Sequence, residues 1–156
     1  MNRFLAFVML CLITGFASMA AAASAAPRDS VVQAGVGLAN LHLGETYGEV
    51  EHALGKPTED LYGFVFVYQL PHNAELNFRV TDNKVVAINL KGNAKTAFTT
   101  ELGAKFGMTR KQVEALYGPP EAQAVNTLFY YQRGISFLFN ETGRMSELNV
   151  FRQSHL

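Results

Sequence analysis

The sequence predicts an α+β domain built from two pseudo-symmetric units, each a short helix followed by three antiparallel strands. Two observations lead to this fold class. The segment GMTRKQVEALYGPP at 107–120 has a weaker counterpart, GETYGEVEHALGKP, at 44–57. Each segment is followed by three runs rich in aromatic and branched residues, and turn formers separate these runs, as in strands joined by hairpins. A unit of about sixty residues would be marginally stable alone, so we expect the two units to pack together.

The first 25 residues are typical of a secretory signal peptide. Arg3 precedes an apolar stretch at 4–16, and small residues with an Ala-x-Ala pattern follow. The apolar stretch is too short to form a stable membrane span. We predict cleavage after Ala25 or Ala26, which leaves a soluble exported protein, periplasmic or secreted, with no transmembrane segment.

The single cysteine decides whether the mature protein can contain a disulfide or a lipid anchor. The only cysteine, Cys11, lies inside the predicted signal peptide, so the mature protein has no disulfide. A lipidated cysteine is the alternative, but the bulky Leu10 stands where a lipoprotein signal peptidase requires a small residue.

The thirteen basic residues balance thirteen acidic ones without forming runs. This balance indicates neither a nucleic acid nor an anionic membrane as a partner.

The two predicted helices share their start and stop signals. Thr46 and Thr109 are placed to cap them, because each is followed three positions later by a Glu or Gln that can reach back to the cap. Gly55 and Gly118 are placed to end them, and prolines follow. Gly48 lies inside the upstream helix, which we therefore expect to be the less stable of the two.

The strand-like runs follow the helices in the same order in both units. We predict a first repeat at 31–91, a linker at 92–101 and a second repeat at 102–153. The corresponding runs are 62–69 and 126–133, 74–80 and 134–140, and 84–90 and 144–150.

The helix motif also carries a family resemblance. Gly-Met-Thr, a polar pair, Gln-Val, a short apolar-faced helix and Tyr-Gly-Pro-Pro at 107–120 resemble the start of the SmpA/OmlA (BamE-like) domain. The doubling of this motif is similar to the tandem arrangement of the β-lactamase inhibitory protein fold. The resemblance implies a binding role in the cell envelope, such as outer-membrane assembly or maintenance, or the inhibition of an enzyme.

The chain offers no convergent set of catalytic or metal-ligating residues, and we predict no enzyme, metal site or cofactor. Glu49 and His52 are three positions apart on one helix face, but we interpret them as a solvated pair, because the second copy has no equivalent. The serines lie outside any nucleophile-elbow context. The four histidines are His42, His52, His72 and His155.

The first strand of each unit is apolar on both of its faces, which leaves two interpretations open. The strands are either central and covered on both sides, or they present an aromatic face that binds a protein or another ligand. The candidate partner-binding residues under the second interpretation are Tyr62, Phe64, Tyr68, Phe129, Tyr130 and Tyr131.

The sequence therefore favours an exported, non-catalytic protein-binding module of the cell envelope. An enzyme inhibitor is one alternative. A small-ligand-binding protein or enzyme with a pocket between the repeats, lined by Tyr68, Tyr131 and His72, is another. A third is a structural protein that helps to organise the outer membrane.

Overall fold

The computed structural model describes residues 30–38 and 41–154. The predicted signal peptide, with Cys11 and its cleavage site, lies outside these residues, as does His155.

The described chain is mostly β-structure with two short α-helices. Its elements, in chain order, are β1 Val31–Gln33, β2 Gly37–Leu38, β3 Leu41–His42, α1 Tyr47–Leu54, β4 Glu59–Leu61, β5 Val65–Leu70, a 3₁₀ turn Pro71–Asn73, β6 Ala74–Thr81, β7 Lys84–Lys91, β8 Thr99–Thr100, α2 Arg110–Tyr117, β9 Ala122–Ala124, β10 Thr127–Tyr130, β11 Ile135–Phe139 and β12 Met145–Phe151.

The predicted fold class is wrong in its architecture. Each helix is followed by four strands of the large sheet, and these eight strands form one antiparallel sheet in the order β4-β5-β6-β7-β12-β11-β10-β9. The molecule is thus a β-rich structure around one large sheet, not a pair of helix-plus-three-strand units. The sequence pattern missed the edge strands β4 and β9, because Glu-Asp-Leu and Ala-Gln-Ala lack the branched and aromatic residues that indicate strands.

The pairing of β7 with β12 makes the sheet continuous. Ile88 lies opposite Val150 and Leu90 lies opposite Leu148, and all four side chains are buried. We call this pairing the seam. Its apolar pairs join the two sets of strands through the same hydrophobic core.

Both helices begin with a reciprocal capping box. The Glu49 carboxylate accepts a hydrogen bond from the Thr46 amide at 2.7 Å, and the Gln112 side chain accepts one from the Thr109 amide at 2.9 Å. Each threonine hydroxyl in turn accepts from the amide of its partner. These bonds satisfy amides that a helix start would otherwise leave unpaired.

Both helices also end in the same way. Gly55 and Gly118 have φ of 80°, which favours glycine, and their amides close the last helical turn. The helices bury Val50 and Leu54 from α1, and Val113 and Tyr117 from α2.

A smaller sheet in the order β3-β2-β1-β8 packs into the same core. Its β8 lies within the predicted linker and pairs in parallel with β1, Val31 opposite Thr99. The Gly35 amide donates to the Gly134 carbonyl at 3.2 Å. A Cβ at Gly134 would lie 2.7 Å from the Gly35 Cα, so only glycine fits this contact between the two sheets.

The large sheet has two different faces. Both helices pack on the core face, as the contacts of Tyr117 with Tyr130 and Phe137 illustrate. We call the opposite side the open face, because none of its residues belongs to the buried core cluster of the described chain. The core-face residues include Phe66, Tyr68, Leu76, Phe78, Ile88, Leu90, Leu128, Tyr130, Ile135, Phe137, Leu148 and Val150.

Candidate functional site

Two of the six candidate binding residues lie inside the core and are not available to a partner. Tyr68 is 2% exposed and Tyr130 is 1% exposed. Their hydroxyls donate to the carbonyls of the helix-terminal Gly55 at 3.2 Å and Gly118 at 2.9 Å. Burial raises the pKa of each hydroxyl to about 12. These tyrosines connect the helix ends to the sheet. They are therefore not part of an exposed binding surface, contrary to the prediction.

The other four candidates form two separate exposed groups. Tyr62 and Phe64 lie at the turn between β4 and β5, outside the regular strand that the sequence predicts there. Phe129 and Tyr131 lie on the open face near the other end of the sheet. Neither β5 nor β10 is central, because each is second from an edge of the sheet.

The first group borders a surface cavity of about 530 Å³. Tyr62 is 90% exposed and Phe64 is 50% exposed, and their rings stack with centroids 6.0 Å apart. The rings of Tyr47 and Phe66 stack at 4.0 Å, and Val80 adds to the lining. We call this concave surface, formed by Tyr47, Tyr62, Phe64, Phe66 and Val80, the hairpin groove.

Tyr62 adopts an unfavourable backbone conformation to occupy this position. Its φ is 61° and that of Gly63 is 75°, and positive φ at both central residues is the feature of a type I′ turn. Asn, Asp and Gly are preferred there, whereas a bulky aromatic residue is uncommon. The Gly63 amide donates to the Asp60 carboxylate at 2.8 Å and so holds the turn. The chain therefore displays a large aromatic ring at a conformational cost.

Three carboxylates lie in or near the hairpin groove. Burial, and next the negative charges of Glu51 and Asp60, raise the pKa of the Tyr47 hydroxyl. Asp82, in the turn between β6 and β7, lies in the lining itself. The rim of the groove is thus acidic although the whole chain is neutral.

The position beside α2 that corresponds to the hairpin groove is occupied by the Arg110 side chain. Arg110 stands where Tyr47 stands in α1, at the first helical position. Its guanidinium donates to the Val125 carbonyl at 2.9 Å and lies 5.4 Å from the centroid of the Phe139 ring. The β9–β10 turn there presents Val125 without an aromatic partner. The open apolar groove is therefore a feature of the first helix and hairpin.

The open face carries a second surface that the sequence did not predict. The strand register places Asn77, Asn89 and Asn149 side by side on β6, β7 and β12, followed by Ser136 on β11 and Phe129 on β10. We call the three asparagines with Ser136 the amide row.

Hydrogen bonds link the amide row across the strands. Asn77 Nδ2 donates to Asn89 Oδ1 at 3.2 Å, and Asn89 Nδ2 donates to Asn149 Oδ1 at 2.6 Å. The Glu75 and Glu147 carboxylates accept from Asn77 and Asn89 on one side of the row. The amides are therefore held in fixed orientations.

Three half-buried aromatic rings adjoin the amide row. The rings of Phe129 and Tyr131 are nearly parallel, with an interplanar angle of 10° and centroids 5.5 Å apart. Tyr131 also contacts Phe151, with centroids 6.2 Å apart. We call Phe129, Tyr131 and Phe151 the aromatic cluster.

The predicted pocket between the repeats does not bring its residues together. His72 lines an apolar cavity of about 270 Å³ with Leu70, Pro71 and Phe98, but neither Tyr68 nor Tyr131 contributes to it. Among residues 30–38 and 41–154, no group of three His, Cys, Asp or Glu side chains is placed to hold a metal ion.

The Glu49 carboxylate bonds to Thr46 rather than to His52. These bonds from the Thr46 amide and hydroxyl lower the pKa of Glu49. Glu49 is thus part of the helix cap, and His52 is not.

Comparisons with known proteins give no family. No family model matches the chain, and no curated protein matches it. One solved structure, an extracellular protein containing an SCP domain from Bacillus anthracis str. Ames, is similar to 70% of this chain, with 12% identity and a TM-score of 0.45. The chain spans less than half of that protein, 44% of its length. Likeness at this level does not bear on function.

The resemblance to a tandem SmpA/OmlA (BamE-like) domain, and to the β-lactamase inhibitory protein fold, is wrong. The eight-stranded sheet with two short helices differs from the expected helix-plus-three-strand repeats. Within the described part of the chain, no helix has the length and apolar character needed to cross a bilayer.

Proposed function

We propose that this protein is an exported, non-catalytic binding module that recognises another protein through the hairpin groove. The observation that carries the proposal is Tyr62, an aromatic side chain 90% exposed to solvent at the rim of an apolar cavity. Exposed aromatic residues beside a cavity are the side chains that most often anchor protein interfaces.

The backbone of Tyr62 supports this interpretation. A residue that tolerates positive φ, such as asparagine, would suit the turn better. Strain that persists at an exposed position is typical of residues kept for recognition rather than for folding.

The acidic rim defines the chemistry of the partner. Asp82 lies in the lining of aromatic and aliphatic carbon, and Glu51 and Asp60 lie close enough to the Tyr47 hydroxyl for their charges to raise its pKa. A segment that inserts an apolar side chain between lysines or arginines would satisfy both features, because its cations would face the carboxylates. We therefore propose a basic protein segment with an apolar anchor as the partner.

The experiment uses a photo-crosslinking amino acid at position 62 in protein exported to its native envelope, with position 125 as the matched control. Val125 is 92% exposed at the tip of the other hairpin but has no aromatic groove beside it. We expect one protein to be captured from position 62 and not from position 125. That protein is then purified, and its affinity is measured for the wild type and for Tyr62→Ser, Phe64→Ser and Val125→Ser.

The proposal requires weaker binding by at least about tenfold for Tyr62→Ser and Phe64→Ser, since each loses an interface anchor, and no change for Val125→Ser. It also requires affinity that falls with added salt. Equal capture from both positions, or full affinity of Tyr62→Ser, would refute it. If the captured protein is an enzyme whose activity falls on binding, the module is an inhibitor.

A further inference from the structure

We propose that the open face binds a linear, uncharged oligosaccharide along the amide row, with the aromatic cluster as the platform at one end. This inference does not depend on the hairpin groove, and it concerns a different side of the molecule.

The composition of the amide row is unusual for a strand surface. Asparagine is disfavoured in strands, yet Asn77, Asn89 and Asn149 occupy adjacent positions on three neighbouring strands in the middle of the sheet. An ordinary solvated face would tolerate threonine or charged residues at these sites. The three amides together supply donors and acceptors in one line, which is the chemistry that recognises hydroxyl groups.

The row is pre-organised but not saturated. Asn89 is fixed from both sides, since its oxygen accepts from Asn77 and its nitrogen donates to Asn149 and Glu147. Asn149 Nδ2 has only a long contact of 3.4 Å with Ser136 Oγ. Asn77 Oδ1 has no hydrogen-bond partner among the described residues, but this atom is buried, so the contacts available to a ligand are the exposed parts of the half-buried Asn77, Asn89 and Asn149 side chains. Because the protein already holds these amides in place, ligand hydroxyls can bond to them with little further loss of side-chain freedom.

The charge at the row favours a neutral ligand. Lys91 pairs with Glu75 at 2.8 Å beside Asn77. This pair lowers the pKa of Glu75 and raises that of Lys91, so both groups are charged and compensate each other at neutral pH. The Glu147 carboxylate accepts from Asn89 and adds one negative charge beside the row, which disfavours an anionic ligand. The groups of the row itself are uncharged amides and a hydroxyl, which offer hydrogen bonds.

The aromatic cluster supplies the second element of sugar recognition. Pyranose rings expose faces of C–H bonds, and these faces stack on aromatic rings. The half-exposed rings of Phe129 and Tyr131 lie parallel to each other, and Phe129 continues the line of the amide row on β10. Polar and stacking contacts therefore lie on one path across the sheet.

The spacing of this path suits a straight chain of sugars. From β6 to β10 the path crosses five adjacent strands, and strands about 4.8 Å apart make it about 19 Å long. A β-1,4-linked glycan advances by a similar distance with each sugar ring, so successive rings would meet successive strands. An α-1,4-linked glycan curves and would leave the path.

The experiment titrates the isotopically labelled mature protein with cellotetraose and with tetra-N-acetylchitotetraose, and maltotetraose serves as the curved control. The side-chain amide signals of asparagine are followed by NMR. We expect saturable shifts of Asn77, Asn89 and Asn149 with at least one of the straight tetrasaccharides, and none with maltotetraose.

Substitutions in the amide row and the aromatic cluster test where on the protein the oligosaccharide binds. Asn149→Ser and Tyr131→Ser should each weaken binding by about tenfold or more, because each loses a ligand contact, whereas Tyr62→Ser in the hairpin groove should bind normally. The wild-type shifts stand as a test even if one variant fails to fold. Absence of shifts with both straight tetrasaccharides, equal binding of maltotetraose, or equal loss in Tyr62→Ser would overturn the proposal.

Discussion

Tyr62 has a backbone conformation that its side chain disfavours, and this gives a residue-scale prediction about stability. Tyr62→Asn places a residue that tolerates positive φ at this turn. We expect the free energy of unfolding to rise by about 1 kcal/mol, the lower end of the cost of such strain. Urea denaturation of the two proteins measures the difference.

The matched variant for Tyr62→Asn is Val125→Asn. Val125 is similarly exposed and has no positive φ, so its replacement should change stability by less than about 0.5 kcal/mol. A loss of stability in Tyr62→Asn would mean that the exposed ring contributes to folding, which would also weaken its assignment to partner binding.

The buried hydroxyls of Tyr68 and Tyr130 predict the behaviour of the protein in alkali. Their pKa is about 12 in the folded protein and about 10 in the unfolded chain. Between these values the unfolded chain loses protons that the folded protein keeps. Stability is therefore complete below pH 10 and falls as the pH rises towards 12.

Urea midpoints measured at several values between pH 9 and pH 11.5 test this expectation. In the double variant of Tyr68→Phe and Tyr130→Phe, stability should be lower at neutral pH, because the bonds to Gly55 and Gly118 are lost. Its decline with pH should be shallower. An equal slope in both proteins would show that other groups control alkaline unfolding.

At the scale of the element, the two helices have equivalent caps but different interiors. Gly48 is in the first turn of α1, and a Cβ added there would have no heavy atom within 4 Å. Gly48→Ala should therefore raise the free energy of unfolding by about 0.5–1 kcal/mol, since alanine has the higher helix propensity.

Thermal denaturation measures the effect of Gly48→Ala, and amide hydrogen exchange in α1 should slow with it. Ala115→Gly is the reciprocal change inside α2 and should lower stability by a similar amount. Unchanged stability of Gly48→Ala would indicate that tertiary contacts alone decide the conformation of α1.

The helices were predictable because their signals are local. Thr109, Gln112 and Gly118 form one continuous stretch, and each interaction at the helix ends joins residues within a few positions. The strands were predictable only in part. The aromatic runs of β5 and β10 are evident in the sequence, but β4 and β9 became strands because a hairpin turn folds them against these neighbours.

The candidate sites were less accessible to sequence analysis than the helices. The amide row depends on register, since Asn89 and Asn149 are 60 positions apart in the chain. A signal was present, because Asn77, Asn89 and Asn149 each stand between two apolar residues in a strand-like run. The groove beside Tyr62 is present because Tyr47 begins the adjacent helix, whereas Arg110 begins the other helix and no such groove forms there among the described residues. The effect of this difference can be recognised only when the two helices are compared in three dimensions.

For the whole molecule, the seam between β7 and β12 predicts that half of the chain will not fold alone. A fragment of residues 30–98 would keep β4 to β7 but would leave the long strand β7 as an unpaired edge. It would also lose the apolar cover that Leu148 and Val150 provide. We expect the fragment to be unfolded or associated, because long apolar edges pair with other chains.

Size-exclusion chromatography and circular dichroism of this fragment give the measurement. The full described chain should unfold in one cooperative transition, since both helices and both sheets share a single core. A monomeric fragment with its own cooperative unfolding would contradict this expectation and would indicate two independent units.

The seam also has a consequence for the kinetics of folding. The pairs β4–β5, β5–β6, β6–β7, β9–β10, β10–β11 and β11–β12 are neighbours in the chain, whereas β7 and β12 are separated by more than fifty residues. Local hairpins close quickly, and the long loop makes the entropic cost of the last pairing larger. We therefore expect the joining of two preformed four-stranded arrays to limit the folding rate. Substitutions in the turns should then mainly change the speed of early steps, and substitutions at Ile88 or Val150 should change the height of the main barrier.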